Sequence, residues 1–228
     1  VHKKSNQFRK IYTRKATRYY FGQIAQNEFD TRFRAFIKSQ IGNFNKIVSP
    51  VTLRKYNSTN VSEFTVTQKL SNNFLNHFNK LNTKESIGRG AEELQWIYNY
   101  PWLSSKDQDE FFPFSAFAQN IQKLFIHQDK GEHSVLMILQ IRDGTMKIPY
   151  YFCPTAYLPE LTKQILHFAY QYHINELIVL DDRLNKSLSK ELKIYPYRSS
   201  FNQNIYASSG IPENKYHFQD GSGDFIFT

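Results

Sequence analysis

Few residues of this chain have the type and spacing for chemistry, and what they lack narrows the choice. The single Cys153 excludes an internal disulfide and stands at the predicted end of a strand, where a nucleophile is often displayed. No histidine lies near it in sequence, and a lone cysteine of this kind reads as a packing residue. The seven histidines are scattered; His167 and His173, in a helical stretch, are six apart and face different sides, so no metal set is expected. Asp220-Gly221-Ser222-Gly223-Asp224 has the composition of an acidic Ca²⁺ loop without its ligand register, and reads as a glycine-rich turn. There is no serine nucleophile elbow, phosphate-binding P-loop or dinucleotide glycine fingerprint.

Composition bounds the rest. The chain has 228 residues, 29 Lys+Arg against 20 Asp+Glu, and 16% aromatic residues, too many rings for a disordered chain. No apolar run approaches the roughly 18 residues of a membrane span, and no signal peptide is visible, so a soluble cytoplasmic protein is expected. Residues 1–40 hold ten basic side chains and only Glu28 and Asp30 on the acidic side, which leaves the remainder nearly neutral. Aromatic residues interleave with that charge, from Phe8 and Tyr12 to Phe33 and Phe36. Such a segment suits single-stranded nucleic acid or an anionic surface. The plainer reading is an amphipathic helix that docks through Phe29, Phe33 and Phe36, whose spacing is helical. Nucleic acid is a candidate partner only through residues 1–40.

Elements that would position a site follow a polar stretch at 41–62, which contains Ser49-Pro50 and sets the expected boundary between an arm, 1–60, and a body, 61–228. Glu63–Val66 reads as a strand, 69–81 and 85–99 as amphipathic helices, and 112–127 as one or two strands. Trp96, Tyr98, Tyr100 and Trp102 form an expected core-anchoring cluster. Asp143-Gly144 joins two β-rich runs, Ser134–Arg142 and Thr145–Cys153, and is a favoured pair for a tight hairpin. The first run is apolar on both faces, as in a covered sheet, and Pro149 in the second marks an edge or a bulge. Leu158, Leu161, Ile165, Phe168 and Tyr172 make a strong helical stripe over 155–172. A strand at 176–180, a helix capped by Asp181 or Asp182, and strand-like segments at 194–207 and 215–228 complete an α/β order.

Five stretches carry a likeness: Glu63–Leu81, Glu92-Glu93-Leu94-Gln95-Trp96 through Pro101-Trp102, the Ser134–Cys153 hairpin, the helix–strand–helix of 155–192, and Gly223-Asp224-Phe225. In element order and in these phrases the body resembles the GNAT acyltransferase superfamily. The resemblance implies a mixed, mostly antiparallel sheet with helices on both faces, here preceded by a basic helical arm. It implies an N-acyltransferase using acetyl-CoA or another acyl-CoA, a small-molecule or peptide amine as acceptor, and no metal. In such enzymes a bulged fourth strand splays from the fifth to admit acyl-CoA, and Pro149 sits where that bulge would fall. The pyrophosphate then lies on N–H groups at the start of the next helix, which assigns cofactor binding to Phe152, Cys153, Thr155, Ala156 and Tyr157. Acid and base candidates are Tyr150, Asp181 and Tyr195. The pyrophosphate segment departs from the family pattern, having neither its spaced glycines nor its basic residue, and 183–192 lacks the family's tyrosine. A non-catalytic GNAT-like module that binds a ligand or partner, its basic arm on a polyanion, is the alternative.

Overall fold

The computed structural model describes residues 8–24, 31–57, 64–82, 89–99, 103–105, 116–128, 134–193 and 197–208. In chain order these form β1 (Phe8–Tyr20), α1 (Arg32–Arg54), β2 (Thr65–Thr67), α2 (Asn72–Asn82), α3 (Ala91–Asn99), β3 (Leu103–Ser105) and β4 (Ala116–Ala118). Then come β5 (Ile121–Gln128), β6 (Val135–Arg142), β7 (Thr145–Phe152), α4 (Leu158–Gln171), β8 (Glu176–Val179), α5 (Asp182–Leu192) and β9 (Tyr197–Ser208). A single 3₁₀ turn, Thr155–Tyr157, precedes α4, so the helix expected from 155 starts three residues later. The expected segment 215–228, like Tyr100, Tyr195 and the Gly223-Asp224-Phe225 phrase, lies outside the described residues.

The main sheet has seven strands in the order β2-β5-β6-β7-β8-β1-β9, and β3 pairs with β4 in a small parallel ladder. All main-sheet neighbours are antiparallel except β7 and β8. This is the mixed, mostly antiparallel architecture that the resemblance implied. The Asp143-Gly144 turn forms as expected, with φ of 47° and 80°, the left-handed pair of a tight hairpin. β6 is buried on both faces: Val135, Met137, Leu139 and Ile141 meet α4 and α5, while Leu136 and Ile138 meet α2 and α3. That explains the unbroken apolar run Val135–Leu139. Of the expected aromatic anchors, Tyr98 packs edge-on against Phe125 at 5.1 Å, but Trp96 points outward.

The described residues before 61 do not form an appendage. β1 lies inside the sheet, antiparallel to β8 at Thr17–Tyr20 and to β9 along its length. Two of its arginines are engaged there. Arg14 Nε donates to Gln203 Oε1 at 2.5 Å, and Arg18 Nε stands 3.4 Å from Glu176 Oε1 with its guanidinium 4.5 Å from the Phe201 ring centre. The strand carries no clean apolar alternation, so its sequence resembles a basic arm while its long side chains pair across the sheet.

The polar stretch expected to be a boundary is helical from residue 41 to Arg54. α1 is capped by Thr31, whose hydroxyl accepts from the Arg34 N–H at 3.3 Å, and it runs through Pro50. Its packed face is Gly42, Asn45, Ser49 and Leu53. Asn45 Nδ2 donates to the carbonyls of Tyr20 and Gly22 at 2.9 and 3.2 Å, and Ser49 Oγ to that of Phe21 at 2.5 Å. Gly42 approaches so closely that an added Cβ would lie 3.3 Å from Gln23 Cα. Phe33 and Phe36, expected to dock, face away instead. The strand end offers bare carbonyls, and a polar face satisfies them where phenylalanine cannot.

Candidate functional site at the split between two parallel strands

β7 and β8 run parallel only over Thr145–Lys147 and Glu176–Ile178. Beyond Lys147, Ile148 and Pro149 together oppose the single Leu139 of β6, because the register moves from Gln140–Lys147 to Ile138–Tyr150. This is the bulge expected at Pro149, whose nitrogen has no proton for the ladder. The extra residue bends the strand and reverses its alternation. Met146 and Ile148 face α4 and α5, but the next residues to do so are Tyr151 and Cys153.

The same reversal carries Tyr150 to the opposite face. It is fully buried against α2, edge-on to Phe78 at 5.1 Å, and the aromatic group gathered near the split is Tyr151 instead. Unbroken alternation from Ile148 would have given the other assignment, so the bulge is the signal that distinguishes them.

Asp181 reaches the cluster because it caps α5: its Oδ1 accepts from the Leu184 N–H at 2.9 Å. Arg183, on the first turn, donates from Nη2 to the Tyr151 hydroxyl at 3.2 Å and stands 3.9 Å from Asp181 Oδ1 through Nε. α5 is fixed against α4 where Thr162 Oγ1 donates to the Leu158 carbonyl and shares a 2.7 Å bond with Ser187 Oγ. Burial raises the Tyr151 phenol well above its ordinary range, and Asp181 adds to this while Arg183 opposes it. Tyr151 is therefore a proton-bearing donor at neutral pH and unsuited to act as a base. The sequence does not single out Arg183, because an arginine in the first turn of a polar helix reads as a solvated surface residue.

Cys153 ends the wall, buried beside the first turn of α4, with its thiol directed to the Pro154 carbonyl at 3.3 Å. Burial pushes its pKa up to about 12, against the lowering effect of Arg183. Native Cys153 should therefore alkylate about a hundredfold more slowly at pH 8 than in urea. Labelling at the rate of a free thiol would restore the nucleophile reading. Thr155 and Ala156 are exposed on the 3₁₀ turn, and Tyr157 packs partly against the core. Neither the turn nor α4 is capped by a side chain, while Glu160 sits in the first turn of α4. The structure thus brings Asp181, Cys153 and the Thr155–Tyr157 turn to one end of the β7–β8 split, and leaves Phe152 on the α2 side against Phe78.

A cleft of about 410 Å³ opens at the other end of β8 and includes Lys38, Asp143, Asn175 and Glu176 in its lining. None of the predicted site residues lines it.

No protein-family model matches the sequence, and no curated protein does. Among solved structures the chain is similar to Saccharomyces cerevisiae N-myristoyltransferase, crystallised with bound myristoyl-CoA and inhibitors, at 11% identity and a TM-score of 0.40. The match covers 93% of this chain and 55% of that one, so the chain spans about half the length of that protein.

Proposed function

We propose that this chain is an acyl-CoA-dependent N-acyltransferase, with acyl-CoA entering between the ends of β7 and β8. The observation that carries this reading is the split itself: parallel pairing stops at Lys147–Ile178, a bulge turns β7 away, and the freed wall leads into an uncapped turn. A strand left by its neighbour offers edge N–H groups, and fixed donors of that kind stabilise the oxyanion formed when an amine attacks a thioester carbonyl. As the C–S bond breaks, CoA departs as a thiolate and the amine must lose a proton. Asp181 takes the role of acceptor for that proton, and Tyr151 that of a hydrogen-bond donor within the gap. The pyrophosphate would rest on the N–H groups of Thr155 and Ala156, since that of Tyr157 already donates to the Pro154 carbonyl at 3.0 Å, with Arg183 supplying the positive charge that the turn lacks. Tyr150, buried against α2, has no part in this arrangement, and Tyr195 lies outside the described residues.

Titration calorimetry with acetyl-CoA tests the reading. The parent should bind, Arg183→Ala should weaken binding about tenfold, and Ala156→Asp should weaken it through charge repulsion. Glu160→Gln should tighten binding a few-fold, because it removes an anion from the same helix end. Absence of binding at millimolar acetyl-CoA would sink the proposal. A non-catalytic ligand module is the second reading, favoured by Glu160 and by the lack of glycine between Cys153 and Leu158. Binding without acetyl transfer to a panel of amines would select it.

A further inference from the structure

α1 is amphipathic with its apolar side outward. Phe33, Phe36, Ile37, Phe44, Ile47 and Val51 are all exposed, Phe33 by 71%, Phe44 by 60% and Ile47 by 74%. At about 100° per residue they fall within roughly 100° of arc, opposite the packed Gly42, Asn45, Ser49 and Leu53. The stripe exposes on the order of 600 Å² of apolar surface, the upper end of what a monomer shows without a partner. It is also charged in one sense only. Residues 32–55 contain Arg32, Arg34, Lys38, Lys46, Arg54 and Lys55 and no acidic residue.

We propose that α1 docks this protein on an anionic lipid surface, lying in the plane of the interface with its phenylalanine stripe among the acyl chains. Rings and branched side chains on one face with arginine and lysine around it are the composition of an interfacial helix. In this case the face opposite the stripe is held by the protein's own strand end, so the helix is preformed and loses little entropy on docking. No described helix is long and apolar enough to cross a membrane, which leaves α1 on the surface rather than through it. A symmetric contact between two copies of α1 would set these cations against each other with no carboxylate on the helix to pair them. Lipid headgroups supply the missing negative charge, and each basic side chain near such a surface strengthens binding about fivefold.

Co-sedimentation with vesicles tests this on the whole chain. Binding should be at least about tenfold stronger to phosphatidylcholine vesicles carrying about one-third phosphatidylglycerol than to phosphatidylcholine alone, and should weaken with salt. Phe44→Gln with Ile47→Gln should lower it more than about tenfold, with the circular dichroism spectrum unchanged because both positions are exposed. Lys46→Gln with Arg54→Gln gives an independent reading: a loss on anionic vesicles that high salt abolishes. No binding to anionic vesicles, or equal binding by parent and variants, would overturn the proposal. So would a dimer in light scattering that the Phe44 and Ile47 changes dissolve, or retention by an acidic amphipathic peptide but not by vesicles.

Discussion

Tyr19→Ala should lower unfolding free energy by about 3–5 kcal/mol, as expected for truncating a fully buried aromatic side chain. The ring lies in the core under α5, with Arg198 5.4 Å above its centre. Its hydroxyl is 3.2 Å from both the carbonyl oxygen and Oδ1 of Asn185 and 3.4 Å from Ser189 Oγ. Burial raises its pKa, so it stays a neutral donor through the working pH range. Tyr19→Phe keeps the ring and removes only the hydroxyl bonds, and should cost about 1 kcal/mol. Urea unfolding of the three proteins measures both steps. The result also distinguishes an interior strand from an arm at residues 8–20. A detachable basic arm would tolerate Tyr19→Ala within about 0.5 kcal/mol, as surface positions do. An interior strand cannot, since β1 stands between β8 and β9 in the sheet.

Gly144→Val should cost about 3 kcal/mol, from two sources that can be separated. A positive φ at Gly144 adds about 1–2 kcal/mol of strain for any residue with a Cβ. That Cβ would also lie 2.6 Å from Asn175 Nδ2, so the side chain must move or the turn must open. Opening is resisted on both sides. Asp143 Oδ1 accepts from the Gln119 and Asn120 N–H groups, each at 2.9 Å, and the Gly144 carbonyl accepts from Asn175 and Glu176 at 2.8 and 3.2 Å. In an Asn175→Ala background the overlap is relieved and only the backbone strain should remain, a double-mutant cycle with coupling of about 1 kcal/mol or more. A total cost below about 1 kcal/mol would contradict the left-handed geometry of the turn.

What could be read without the structure was local. Asp143-Gly144 dictates a tight turn through two residues that tolerate positive φ. The two-sided apolar run of β6 demands cover on both faces, and the stripe of α4 demands a core beneath it. Pro149 signals a bulge because a missing N–H is a property of one residue. Asp181 caps α5 for a similarly local reason, its carboxylate reaching an N–H three residues on. Each of these is settled within a few bonds or a few turns, where composition and period carry the information.

Only the tertiary structure decided which segments meet. Tyr19 and Asn185 are 166 positions apart, and nothing in the basic run around Tyr19 declares that it will enter the sheet between β8 and β9. α1 took its packed face from the carbonyls of Tyr20, Phe21 and Gly22, groups present in every sequence and therefore silent in this one. The bulge was legible but its consequence was not. One residue inserted opposite Leu139 exchanges the faces of Tyr150 and Tyr151, and so decides which tyrosine meets Arg183. Side-chain period assigns residues to faces only while the ladder is unbroken, and where pairing changes, the three-dimensional partner does.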